Sequence, residues 1–155
     1  MIFAAALVLV SSAFPPGGAI PASASCSGAG RSPALAWSHV PTGTRAFALV
    51  VDDPDARGND GRIFVHWLGW NIPGGTRRLS TGEHAPREGQ NSFGRQGYSG
   101  PCPPAGTTHH YRFRLYALNA PLQLAAGASR DQLTKALRGH VRASALLVGV
   151  FRSRR

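Results

Sequence analysis

Hydrophobic residues in this chain fall into short runs that are typical of β-strands. β-branched and aromatic residues, bounded by Gly, Pro, Asn and Asp, concentrate in four segments: Arg45 to Asp52, Ile63 to Asn71, Tyr111 to Leu118 and Ala145 to Phe151. An earlier apolar segment, Ala5 to Val10, predicts a buried first strand. The pattern therefore predicts a mostly β protein, and short strands separated by turn residues favour antiparallel pairing.

One segment follows a helical period instead. We predict a helix from Arg130 to Arg138, because Ser129 and Gln132 form a capping-box pair and Gly139 follows as a stop signal. Its apolar positions form one stripe that suits docking on a sheet: Leu133, Ala136, Leu137 and His140. With 155 residues, 43% of them hydrophobic, the chain has the size of a single domain covering 1–155.

The N-terminal apolar run allows two interpretations. Ile2 to Val10 followed by Ala22-Ser23-Ala24 resembles an export signal with a small-residue cleavage site. However, no positive residue precedes the run, and Pro15-Pro16-Gly17-Gly18 separates it from that site. The run is also too short to cross a bilayer as a helix, so we expect no transmembrane segment. The pattern favours a first strand of the domain, with export as the alternative.

The net charge of +10 permits attraction to phosphates, acidic proteins or anionic surfaces. Lys135 is the only lysine among 17 basic residues, so a general preference for arginine explains this balance equally well. The densest basic cluster is terminal and consists of Arg152, Arg154 and Arg155. No helix-turn-helix pattern, zinc spacing or RNA-binding signature accompanies the charge, and we expect no nucleic-acid partner.

The two cysteines leave the redox state open. Cys26 and Cys102 are too few for a disulfide scaffold and too far apart for a CxxC motif. They would remain thiols in a reducing cytosol, whereas export would make a bridge between them plausible.

The first candidate site residues follow a hydrophobic strand, in Asp52-Asp53-Pro54-Asp55. Proline cannot continue central pairing, so the chain is expected to turn there. Asp53 and Asp55 then become free to serve a site. The alternative is a purely structural Asx-type turn.

His66 is the second candidate, in an aromatic segment. Strand alternation places Phe64, His66, Leu68 and Trp70 on one face, and Val65, Trp67 and Asn71 on the other. A histidine in such surroundings is more often a satisfied core residue than a functional one.

The third candidate region is a proline-rich loop, Gly100 to Gly106, that leads into a strand. Its prolines, Pro103 and Pro104 among them, form a stiff wall that lacks backbone donors. Alternation on the strand puts His109, Tyr111, Phe113 and Leu115 on one face and His110, Arg112 and Arg114 on the other. His109 and Tyr111 are therefore natural partners in a site, and His110 is not.

Two carboxylates, two imidazoles and a phenol beside a rigid loop suit a phosphate-like group, to which N–H and O–H groups donate. Asp and His are also metal ligands, but no HxH or HExxH spacing is present, and we expect neither a metal nor a cofactor. No GxSxG elbow or catalytic cysteine signature occurs, which favours a non-enzyme. The alternative is a phosphoester hydrolase or lyase in which His66 or His109 acts as general base.

The chain resembles the bacterial branch of the phosphatidylethanolamine-binding, or Raf-kinase-inhibitor-like, family. The motifs that carry the resemblance run nearly from end to end: Ser32 to Trp37, Val40 to Thr44, Ala48 to Ala56, Val65 to Trp67, Asn91 to Gly94, Gly97 to Pro104, His109 to Leu118 and Leu147 to Gly149.

This resemblance implies a β-sandwich of two antiparallel sheets with the helix in its C-terminal part. It also implies a pocket for phosphate, acetate or a phospholipid headgroup, formed by Asp53, Asp55, His66, Pro103, Pro104, His109 and Tyr111. The expected function is that of a non-catalytic binding protein, monomeric or homodimeric, with a protein kinase or protease as a candidate partner that it inhibits. In the family, residues matching Leu9 to Phe14 belong to the first strand, which favours a cytoplasmic protein; export remains the alternative.

Two positions depart from the family's usual pattern. Arg57 stands where the family usually has proline, and Phe151 stands where tyrosine is frequent. We expect the first change either to loosen the pocket rim or to add a cation near it, and the second to remove a hydroxyl.

Overall fold

Two antiparallel sheets pack face to face in the computed structural model, which describes residues 5–154. The strands in chain order are β1 (Val8–Val10), β2 (Leu35–Ser38), β3 (Ala46–Arg57), β4 (Ile63–Pro73), β5 (Arg78–Leu79), β6 (Arg87–Glu88), β7 (Thr108–Leu118) and β8 (Val141–Arg152). The smaller sheet has the order β1-β2-β5 and the larger one β6-β4-β3-β7-β8. The predicted antiparallel sandwich is confirmed.

The larger sheet lies between two hydrophobic cores. The core between the sheets includes the buried side chains of Phe14, Trp37, Phe47, Trp67 and Phe113. The other lies between the sheet and the helix α1 (Arg130–Leu137) and includes Ala48, Leu68, Trp70, Leu133 and Leu137. Because β3 is covered on both faces, its sequence is a continuous apolar run rather than an alternating one.

The helix agrees closely with its prediction. Ser129 and Gln132 form the capping box, with each side chain bonded to the other residue's backbone N–H. Leu133 and Leu137 are buried as expected. His140 is not part of the apolar stripe, because the helix ends at Leu137; its Nδ1 instead lies 2.8 Å from Oδ1 of Asn119.

The N-terminal segment belongs to the domain from Leu7 onward. The strand predicted over 5–10 is observed at Val8–Val10, and Leu7 and Leu9 are buried. The residues of the apolar run before Ala5 lie outside the described part. Farther on, the backbone N–H groups of Gly17 and Ile20 donate to β8. Across residues 5–154, no helix has the length and apolar character needed to cross a membrane.

The pairing of β3 with β4 is interrupted at the DPDA segment. Asp53 pairs with Phe64, but the next pair is Arg57 with Ile63, so three residues of β3 bulge out of the ladder. The expectation that pairing stops before Pro54 is right for β7, where pairing ends at Asp52, and wrong for β4, where it resumes.

A second bulge changes the predicted faces of β4. Trp67 pairs with Val51 while Val65 pairs with Asp52, which leaves His66 as an extra residue. Val65, Leu68 and Trp70 consequently face the helix core, whereas Trp67 faces the core between the sheets. The predicted grouping of His66 with Leu68 and Trp70 is therefore wrong, because the bulge reverses the alternation at this point.

Asp52 links β3, β7 and the helix. Its side chain is buried, and its carboxylate accepts hydrogen bonds from Arg112 at 2.7 Å and 3.0 Å. Nη2 of Arg130, the first residue of α1, lies 2.8 Å from Oδ2 of Asp52, the oxygen that also accepts from Nη2 of Arg112. A buried carboxylate needs such partners, because desolvation without compensation is costly.

We predict that Asp52→Asn lowers the free energy of unfolding by about 2–3 kcal/mol, because two guanidinium groups lose a buried counter-charge. Urea denaturation measures the change. Asp131→Asn is the matched control, since Asp131 pairs with Arg62 in an exposed ion pair and little change is expected. Equal effects of the two substitutions would contradict the structural role of Asp52.

Candidate functional site

A cavity of about 120 Å³ lies at the edge of the core between the sheets, beside the proline-rich loop. Sites for drug-sized ligands measure about 300–1,000 Å³, so this cavity suits a group of only a few atoms. The structure brings six of the seven predicted residues to its walls: Asp53, His66, Pro103, Pro104, His109 and Tyr111. Ala56, Phe64, Phe93 and Cys102 also line it and were not predicted.

Asp55 is the predicted residue that does not line the cavity. Its half-exposed carboxylate accepts from the backbone N–H of His110 at 2.7 Å and lies 2.8 Å from that residue's Nδ1. These hydrogen bonds hold the pKa of Asp55 below its usual value. The N–H of Asp55 donates to Oδ1 of Asp53, so the Asx-type turn considered for this segment is present.

Asp53 orients His109 in the wall of the cavity. Oδ2 of the buried Asp53 carboxylate lies 2.6 Å from Nδ1 of His109. An ionised carboxylate only accepts, so we place the proton of this contact on Nδ1. Nε2 of His109 is then the ring nitrogen left for a ligand, and both Asp53 oxygens are already engaged.

His66 is held by the loop and by aromatic rings. Its Nδ1 lies 2.7 Å from the carbonyl oxygen of Ser99, which only accepts, so Nδ1 carries a hydrogen. Tyr111, Phe64 and Phe93 surround the ring with centroid separations of 5.2, 5.1 and 5.6 Å. Burial lowers the pKa of His66 below its usual 6.5, which favours the neutral ring with an accepting Nε2.

The Tyr111 hydroxyl is buried and has no hydrogen-bond partner within residues 5–154. Burial, and then the nearby Asp53 and Asp55 carboxylates, raises its pKa well above the usual value, so the hydroxyl stays protonated and able to donate. An unsatisfied buried polar group typically costs about 1–3 kcal/mol. Such a group inside a cavity indicates a place for a ligand.

The loop wall is fixed by a disulfide between Cys26 and Cys102. The sequence left this pairing open because it depends on whether the compartment is reducing or oxidising. The backbone N–H of Cys26 also donates to the carbonyl of Pro101, just before the wall. Cys102 also lines the cavity and was not predicted to do so.

Phe64 and Phe93 were also missed, as was Ala56 in the DPDA segment. Phe64 lies two residues before His66, so strand alternation had already placed both side chains on one face. Phe93 lies in the long segment without periodicity and is 45% exposed, which is unusual for so large an apolar side chain. An exposed aromatic on a functional loop is the one feature that would have identified it.

A metal is not favoured by this arrangement. Among the residues that the structure describes, no group of three or more His, Cys, Asp or Glu side chains could hold a metal ion.

Comparison with known proteins identifies the family. The sequence profile described as "Phosphatidylethanolamine-binding protein" matches residues 10–152. This chain belongs to the phosphatidylethanolamine-binding protein family. The resemblance drawn from its motifs is thereby confirmed.

Three similar proteins align with nearly the whole length of this member of the phosphatidylethanolamine-binding protein family. A Mycobacterium tuberculosis protein provisionally named lipoprotein LppC is 47% identical over 149 residues, which are 94% of this chain and 72% of the relative. A provisional family homologue from Chlamydia trachomatis, CT736, is 36% identical with a TM-score of 0.90, covering 96% of this chain and 98% of that one. Escherichia coli YbcL is 30% identical with a TM-score of 0.86, covering 96% and 99%.

The two departures from the family pattern have different consequences. Nη1 of Arg57 donates to the carbonyls of Pro54 at 3.0 Å and Ala56 at 3.1 Å, so the guanidinium bridges the bulge in β3. Phe151 is buried in the core opposite His109 and does not line the cavity.

We predict that the His66 ring titrates with a midpoint below pH 6.5 in the ligand-free protein and that its neutral form carries the proton on Nδ1. Burial disfavours the charged ring, and the Ser99 carbonyl requires a donor. Proton and nitrogen NMR titration of the imidazole resonances, assigned with His66→Gln, checks both statements. A midpoint at or above 6.5, or a neutral ring protonated at Nε2, would show that the environment is not as described.

Proposed function

We propose that this family member binds a small oxyanion, either phosphate or the phosphomonoester part of a headgroup, and releases it unchanged. The observation that carries the proposal is the buried Tyr111 hydroxyl, which has no protein partner within the described residues and borders the cavity. An oxyanion oxygen would accept its hydrogen and remove the cost of leaving it unsatisfied.

The other polar groups of the cavity complement a phosphate that retains one proton. Neutral His66 offers an accepting Nε2 to a P–O–H group. His109, once protonated, donates through Nε2 while its charge balances that of Asp53. The formal charge of +10 on the whole chain further favours the approach of anions. The cavity of about 120 Å³ limits the bound portion to a small group.

The lining favours binding over turnover. It contains no serine, threonine or lysine, its cysteine is in a disulfide, and burial keeps the Tyr111 hydroxyl protonated by raising its pKa, so no serine- or cysteine-type nucleophile borders the cavity. Asp53 is engaged at both oxygens. The hydrolase or lyase alternative would need His66 or His109 as a general base for water. Inhibition of a kinase or a protease stays a prediction.

The disulfide supports export more than the cytoplasmic prediction. Cytosolic thiols are usually kept reduced, whereas an oxidising compartment preserves a bridge such as Cys26–Cys102. A relative with "lipoprotein" in its name is in line with this alternative. Trapping free thiols with an alkylating reagent in intact cells, followed by mass spectrometry, tests it.

We predict that Tyr111→Phe weakens the binding of inorganic phosphate by about 10- to 100-fold, the range expected for a hydrogen bond to a charged group, and leaves stability unchanged or slightly higher. Tyr98→Phe is the matched control, because its hydroxyl is buried outside the cavity and donates to the Ala24 carbonyl. That variant is expected to lose about 1 kcal/mol of stability and to keep phosphate binding. Calorimetric titration and urea denaturation measure the two effects.

No binding of phosphate at millimolar concentration by the wild-type protein would refute the proposal. Steady turnover of a phosphomonoester that disappears in His109→Ala would replace it with the hydrolase alternative.

A further inference from the structure

The cavity wall lacks hydrogen bonds at Cys102 and Pro103 in the part of the chain that the structure describes. Pro103 and Pro104 have no backbone N–H, and within residues 5–154 neither Cys102 nor Pro103 makes a hydrogen bond. The carbonyl of Pro101 before them accepts a hydrogen bond from the N–H of Cys26, and the carbonyl of Pro104 after them accepts one from the N–H of Thr107. Between these two hydrogen bonds, the Cys26–Cys102 disulfide is the covalent link from the wall to the rest of the domain, and Pro103 packs against the domain as a buried residue.

This disulfide joins a cavity residue to a segment outside the cavity. Cys102 lines the cavity, whereas Cys26 follows the short 3₁₀ helix Ala22–Ala24 and does not. Both cysteines are exposed to solvent, so a reductant reaches the bond without unfolding the domain. Exposed disulfides are typically the labile and regulatory ones, while buried ones serve as structural staples.

We propose that the Cys26–Cys102 disulfide is a redox-sensitive positioning element of the anion pocket, and that its reduction weakens anion binding. The inference rests on the proposed function. In the oxidised protein the wall is ordered before the ligand arrives, whereas in the reduced protein the ordering of Cys102 and Pro103 is added to the cost of binding.

The chemical step is thiol–disulfide exchange with a dithiol. One thiolate of the dithiol attacks a sulfur of the bridge, which forms a mixed disulfide and releases one cysteine thiolate. The second thiol of the dithiol then displaces the other cysteine. The protein gains two thiols with the two protons of the dithiol, and the dithiol is oxidised to its own disulfide.

The experiment compares phosphate binding by air-oxidised protein, by protein reduced with dithiothreitol, and by the double variant Cys26→Ser/Cys102→Ser. We expect the reduced protein and the double variant to bind phosphate at least about tenfold more weakly, the factor for ordering roughly one backbone residue during binding. Reoxidation after removal of dithiothreitol restores the affinity of the wild type, and the double variant does not respond to dithiothreitol.

The emission of the buried tryptophans Trp37, Trp67 and Trp70 reports whether the fold is kept. Equal affinity of folded oxidised and folded reduced protein would overturn this inference and leave the proposed function intact. Unfolding on reduction would also overturn it, because the disulfide would then be a staple of the whole fold. No phosphate binding by the oxidised protein would instead refute the proposed function itself.

Discussion

Two neighbouring buried carboxylates on the central strand organise the whole molecule. Because side chains alternate along a strand, Asp52 and Asp53 face opposite sides of the larger sheet. Asp52 binds the guanidinium groups of Arg112 and Arg130 and so holds the helix against one side. Asp53 binds His109 and the backbone of the bulge and so builds the pocket on the other. Neither charge tolerates burial without its partners, which couples the site to the fold.

Local rules predicted much of this structure. The capping box located the first residue of α1, and Gly139 located its last residue to within one position. On β7, simple alternation placed His109 and Tyr111 together and turned His110 away, since that strand is regular throughout the relevant stretch. The hydrophobic runs likewise located the long strands, although not their ends.

Features that depend on cross-strand pairing could not be predicted from neighbouring residues in the sequence. The extra residue at His66 becomes visible only when β4 is paired with β3, and it reverses the side on which Trp67 lies. The same holds for the DPDA segment, where the bulge that follows Asp53 takes Asp55 away from the cavity and toward His110. The family resemblance supplied the composition of the site, but not this difference between its two aspartates.

The cavity combines a donor without a partner among the described residues, a histidine that burial keeps neutral and a wall of prolines closed by a disulfide. Each of these is costly or restrictive for a protein that only needs to fold, and each becomes useful if a small anion binds.

A crystal structure of the oxidised protein grown with millimolar phosphate would show whether the cavity holds an anion. We expect a tetrahedral anion inside the cavity with one oxygen about 2.7 Å from the Tyr111 hydroxyl and others within reach of His66 and His109. Binding of phosphate to the protein will be contradicted if the cavity holds only water while phosphate is bound at other positions in the same crystal. A hydrogen bond from the Tyr111 hydroxyl to another protein group would also contradict it.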